Sequence, residues 1–109
     1  MRELKVGDII YTRISDGRIL RRKIARVTRS QGVAVDGFRI NRTPLGEKKH
    51  GYFYVSWCGA KYTLETPNIK AEYERQMAKI EATELIDNLQ FNKLSTDKIN
   101  QLVGFLQTL

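Results

Sequence analysis

At Thr66-Pro67 the hydrophobic pattern changes period, and that change limits what the chain can fold into. Before it, short apolar runs alternate with polar residues and are punctuated by glycine. After it, no proline follows and only Gly104 interrupts a run of good helix formers. The pattern predicts an α+β protein, with a small five-stranded β-barrel over residues 1–66 and a helical hairpin over residues 67–109. Thr66 suits an N-cap, and Pro67 the first helical position, where a missing N–H costs nothing.

The first strand is expected from Ile9 to Ser15, with Ile10, Thr12 and Ile14 inward and Tyr11 and Arg13 outward. Asp16-Gly17 predicts a type I′ hairpin turn. The second strand runs from about Arg18 to Thr28, and its alternation slips. Leu20 and Ile24 share one parity, Ala25 and Val27 the other. No single register keeps Arg21, Arg22 and Lys23 all out of the core, so a bulge is expected among them. After a turn at Ser30-Gln31-Gly32, a third strand begins at Val33 and continues through Phe38 and Ile40. Asn41 to Gly51 reads as a long exposed loop. Gly51 to Trp57 reads as the clearest strand, with Phe53 and Trp57 as core, and Lys61 to Leu64 as the fifth. Short strands at such close spacing argue for a strongly curved barrel.

In the tail, one helix is expected over about 67–91 and another over about 96–108, capped by Ser95. Ile69, Tyr73, Met77 and Ile80 lie on one helical face, whereas Ala78, Ala82, Leu85 and Leu89 lie nearly opposite. The first half of the long helix is therefore expected on the barrel and its second half against the final helix. That leaves Leu85, Ile86, Leu89, Ile99, Leu102, Val103 and Leu106 as the face for a partner or for self-association.

Charge divides the chain at the same place. Residues 1–66 carry 14 Lys/Arg against 6 Asp/Glu, a net +8, and residues 67–109 carry 5 against 6, a net −1. Solubility alone does not require such a split, so the basic half is expected to face something anionic. Six cations fall within residues 18–29: Arg18, Arg21, Arg22, Lys23, Arg26 and Arg29. On a strand, alternate residues stand about 6.6 Å apart, a spacing suited to the phosphates of an extended strand. Arg39, Arg42, Lys48 and Lys49 would extend the surface. A plain alternative is a solvated strand whose charges protect an edge from aggregation. Tyr11, Tyr52 and Tyr54 are candidates for an outward platform that stacks bases, or else for a cover beneath the tail helix.

Catalytic chemistry finds little support. His50 is the one histidine and Cys58 the one cysteine, read as an exposed loop residue and a buried structural thiol. Together they cannot build a zinc site or an intrachain disulfide. There is no phosphate-binding glycine motif, and no cofactor or metal is expected. The acids of the tail sit among lysines and look like solvated charges. With no apolar leader and no apolar run of membrane-spanning length, the chain reads as cytoplasmic and without a membrane partner.

Lys5-Val-Gly-Asp-Ile-Ile10, Lys23-Ile-Ala-Arg-Val27 and Gly32-Val-Ala-Val35 make residues 1–65 resemble the SH3-like small barrels that include Tudor and KOW modules. The resemblance implies that architecture and a binding role. In style the compact chain is also similar to small phage and mobile-element proteins. The expectation is a non-enzymatic nucleic-acid-binding protein contacting DNA or RNA phosphates. The alternative is an interaction module, an inhibitor or adaptor, that docks an acidic or nucleic-acid-binding protein.

Overall fold

A computed structural model describes residues 2–46 and 51–109. Six strands form one antiparallel, nearly closed barrel: β1 (Ile9–Arg13), β2 (Ile19–Val27), β3 (Gln31–Ala34), β4 (Arg39–Asn41), β5 (Phe53–Tyr54) and β6 (Lys61–Leu64). Their order is β4-β3-β2-β1-β6-β5. The Asn41 amide donates to Ser56 Oγ at 2.9 Å, bringing the segment after β5 back to β4. Closure matters physically because an open sheet of this length would leave two unpaired edges.

The expected third strand is in fact two, which makes the count six rather than five. The reason is Asp36-Gly37. Gly37 has φ +88°, its N–H donates to Ala34 O at 2.9 Å, and Ala34 N donates to Phe38 O at 2.8 Å. Asp36 Oδ1 accepts from Phe38 N, tightening the reversal. The β1–β2 connection repeats the device: Gly17 has φ +90°, Gly17 N donates to Ile14 O, and Asp16 Oδ1 accepts from Arg18 N. No non-glycine residue has positive φ among the described residues, so neither turn is type I′. Both are three-residue loops in which only the glycine takes the left-handed conformation.

A bulge is present, but beyond the Arg21-Arg22-Lys23 triplet where it is expected. Ile9 to Arg13 pair in unbroken register with Lys23 to Ile19, so the triplet Arg21-Arg22-Lys23 stays regular. The shift comes between Ile24, opposite Ala34, and Arg26, opposite Val33. Inserting Ala25 there lets both Ile24 and Val27 face the core despite their unequal parity.

The core consists of Leu4, Ile10, Ile24, Ile40, Phe53, Val55 and Tyr62, with Val27, Phe38, Ala60 and Leu64 packed against it. Trp57 is not part of it. Val55 N donates to Ala60 O, and Val55 O accepts from Cys58 N and Gly59 N, so the chain turns immediately after Val55. Trp57 and Cys58 stand exposed on that turn, correcting the expectation of a buried indole and a buried thiol.

Two helices follow, α1 (Pro67–Asp87) and α2 (Thr96–Gln107), with a 3-10 turn at Phe91–Lys93 between them. Thr66 Oγ1 accepts from Ile69 N and Ser95 Oγ from Lys98 N, both in the N-cap manner expected. The chain forms two compact units, Met1–Met77 and Ala78–Leu109, divided within α1. In the first unit, the start of α1 lies on the outer face of β1 and β2. Tyr73 meets Tyr11 edge-on at 5.6 Å, Gln76 exchanges hydrogen bonds with the backbone of Ile19, and Glu72 pairs with Arg13. In the second unit no residue is buried.

Ahead of β1, Asp8 ties the N-terminal segment down. Its carboxylate accepts from both terminal nitrogens of Arg2 and from Lys5 N, each at 2.7 Å. The Arg2 guanidinium first, and the Lys5 N–H after it, hold the Asp8 carboxyl below its ordinary value against the opposing pull of partial burial. A depressed folded pKa contributes stability above the ordinary aspartate value, about 4, and that contribution disappears as pH falls through the depressed one. Thermal melts should therefore place wild type above Asp8→Asn at pH 7, with the difference closing in acid. Equal separation at every pH would refute the account.

Candidate functional site

The register of β2 sorts its cations. Ile10 lies opposite Arg22, and Ile10 and Ile24 are fully buried, so Arg22 shares the inward parity. Tyr11 lies opposite Arg21 and Ile9 opposite Lys23, which sets Arg21 and Lys23 outward. Past the bulge, Arg26 lies opposite Val33, and Val33 lies opposite Arg39. Gly32 and Ile40, one residue on, are the core-facing pair of that ladder. Arg26, Val33 and Arg39 therefore share one cross-strand row on the parity opposite the core pair, with Val33 itself only 4% exposed and the two arginines open to solvent.

Adjacent strands stand about 4.8 Å apart, so the Arg26 and Arg39 backbones are separated by about 10 Å. Arg21 and Lys23 continue the surface along β2, and Arg29 projects from the β2–β3 turn. Arg21, Lys23, Arg26, Arg29 and Arg39 are all exposed. Among the described residues none of these five is within ion-pair distance of a carboxylate. Among the described residues, Arg39 donates only to Gln31 Oε1, at 3.0 Å.

Three other predicted cations have internal duties. Arg22, on inward parity, lies at the barrel mouth with its guanidinium 3.7 Å from the Phe38 ring centroid. Its Nε donates to the Tyr62 hydroxyl at 3.0 Å and Nη1 pairs with Asp36. Burial works against the Arg22 charge, but Tyr62 and Asp36 together raise its pKa. The Asp36 carboxyl is lowered first by the Phe38 N–H and then by Arg22. Arg42 donates to Leu4 O at 2.9 Å and Thr28 O at 3.1 Å, strapping the N-terminal segment to the sheet. Arg18 is occupied by Asp16 of its own turn. All three are thus engaged within the fold, unlike the five above. Lys48 and Lys49, with His50, fall outside the described residues.

The tyrosine platform does not assemble. Tyr11 is 2% exposed beneath Tyr73, and its hydroxyl donates to Glu65 at 2.7 Å. Burial, and then the Glu65 hydrogen bond, raise the Tyr11 pKa, against the neighbouring Arg21. Tyr52 and Tyr54 are half-buried at β5, on the opposite side of the strand order from β2, and Lys61 Nζ covers the Tyr52 ring at 4.7 Å. The helical cover considered for the tyrosines is thus what Tyr11 receives.

Instead, a different aromatic set converges. Phe38 lies 5.7 Å from Tyr62 and meets Trp57 edge-on at 6.2 Å. Beside it opens a groove of about 380 Å³ lined by Gln31, Phe38, Arg39, Asn41, Ser56 and Trp57. Trp57 was readable as exposed only through Gly59, whose φ of +75° permits the turn that lifts the indole out of the strand. No three His, Cys, Asp or Glu are grouped to hold a metal ion among the described residues. No helix among them is long and apolar enough to cross a membrane.

Of the predicted face on the tail, Leu85, Ile86, Val103 and Leu106 are exposed, and Leu89, Ile99 and Leu102 are half-buried. Comparison with family models, with curated proteins and with solved structures found no match to the chain.

Proposed function

We propose that this protein is a non-enzymatic nucleic-acid binder whose barrel, of the SH3-like kind, contacts phosphates through Arg21, Lys23, Arg26, Arg29 and Arg39. The observation that carries the reading is the cross-strand row Arg26–Val33–Arg39, continued by Lys23 and Arg21. A fold that needed these charges only for edge protection would concentrate them at β4 and β5, the terminal strands. Three of the five stand instead on β2, an inner strand that pairs with β1 over Ile19–Lys23 and with β3 over Ile24–Val27. Placing like charges together without acids is unfavourable in isolation and becomes favourable when a polyanion releases its counterions on binding.

The contacts available are to backbone phosphates, so binding is expected with weak sequence preference. Five contacts to a single strand imply a log–log salt slope of about −3.5, hence about a hundredfold loss between about 50 and 200 mM salt. Fluorescence anisotropy of a labelled oligonucleotide measures this. Arg26→Gln with Arg39→Gln should weaken binding and reduce the slope by about 1.5, whereas absence of binding at about 50 mM salt refutes the reading.

A second reading, a protein-interaction module, rests on the Ala78–Leu109 unit. It buries no residue and leaves Leu85, Ile86, Val103, Phe105 and Leu106 exposed. Self-association through that unit would give a dimer mass by light scattering that Leu85→Gln with Leu106→Gln converts to a monomer. A wild-type monomer argues against self-association.

A further inference from the structure

We propose that the groove beside Trp57 takes an unpaired nucleobase, which makes the protein a reader of single strands rather than duplexes. The inference rests on the phosphate-contacting role of the barrel and adds what lies between the phosphates.

Trp57 is 76% exposed, although it is separated by a single residue from Val55, which is 1% exposed. The turn that carries it is anchored. Two hydrogen bonds into Val55 O hold that turn, and Phe38 meets the indole at 6.2 Å in a T-shaped arrangement. An indole held by an anchored turn, with most of its surface open, presents a stacking plane. Ordering the turn costs little on binding, because the fold has already done so.

The other walls suit the edge of a base. Asn41 Nδ2 donates to Ser56 Oγ, which leaves the Asn41 carbonyl oxygen as an acceptor and the Ser56 hydroxyl proton as a donor. Gln31 Oε1 receives Arg39, which leaves the Gln31 amide nitrogen as a donor. Donors and acceptors thus border the aromatic rings of Phe38 and Trp57. Arg39 belongs at once to this groove and to the Arg26–Val33–Arg39 row. A strand whose phosphates follow the row therefore passes the groove, where a base turned inward meets Trp57.

The alternative occupants fit less well. An acidic peptide would use the cations but has no flat face for the indole, and a metal would find no carboxylate in the lining. A duplex brings phosphates to the arginines while keeping its bases stacked on one another, so the groove stays idle.

Trp57 is the one tryptophan of the chain, so its emission reports on this groove alone. The test compares an oligothymidylate of roughly 12 nucleotides with an abasic deoxyribose-phosphate strand and a duplex of equal length, each titrated by anisotropy and by tryptophan emission. The thymidine strand should quench Trp57 and bind on the order of tenfold more tightly than the abasic strand. Trp57→Ala should abolish that preference while leaving abasic-strand affinity unchanged, and Trp57→Phe should restore part of it. Unchanged emission at saturation, or equal affinity for the thymidine and abasic strands, overturns the base groove and leaves the phosphate-binding reading standing. Failure of every strand to bind removes both.

Discussion

Burial of Ile10 and Ile24 on one side of the β1–β2 pair fixes the parity of every residue between them. Neither can leave the core without exposing apolar area worth about 1.5–3 kcal/mol each, so the strand cannot slip by one position. With that register fixed, Arg21 and Lys23 must point outward and Arg22 must point in. The Arg22 charge then needs compensation, which Phe38, Tyr62 and Asp36 supply at the mouth of the barrel. Phe38 also packs against both Tyr62 and Trp57. Packing inside the barrel thereby sets both the outer row of cations and the aromatic cluster beside it.

The bulge at Ala25 serves the same end. Without it, keeping Ile24 in the core would send Val27 outward and Arg26 inward. The extra residue restores Val27 to the core and leaves Arg26 facing solvent in line with Val33 and Arg39. A single local irregularity thus turns a strand with conflicting parity into one that is apolar within and basic without. The start of α1 covers the neighbouring outer face, burying Tyr11 and engaging Arg13, so the uncovered cations begin where the helix cover ends.

Much of this was legible in the sequence. The barrel and two helices follow from the change of period at Thr66-Pro67, and Ser95 announced its helix because a serine before Thr96-Asp97-Lys98 can accept the Lys98 N–H. The strand count differs because Asp36-Gly37, the same dipeptide that turns the chain at Gly17, reverses the chain within an otherwise apolar run. Alternation, taken alone, carries a strand past Val55 to Trp57, whereas backbone hydrogen bonds to Val55 O end it and leave the indole exposed. Arginine pairing was hidden for a different reason. Asp36 meets Arg22 and Leu4 meets Arg42 across turns and strands, and separations of that kind are set by tertiary closure. Composition showed that the barrel is basic, and only the register shows which cations are uncommitted.

The account stands or falls on whether nucleic acid meets the outer face of β2–β4. Backbone amide NMR of the full chain, recorded with and without a short single-stranded oligonucleotide at low salt, tests this residue by residue. The account predicts shifts concentrated at Arg21, Lys23, Arg26, Arg39 and the turn around Trp57, with the residues of α2 unchanged. Shifts confined to the helices, or none at saturating oligonucleotide, would contradict it.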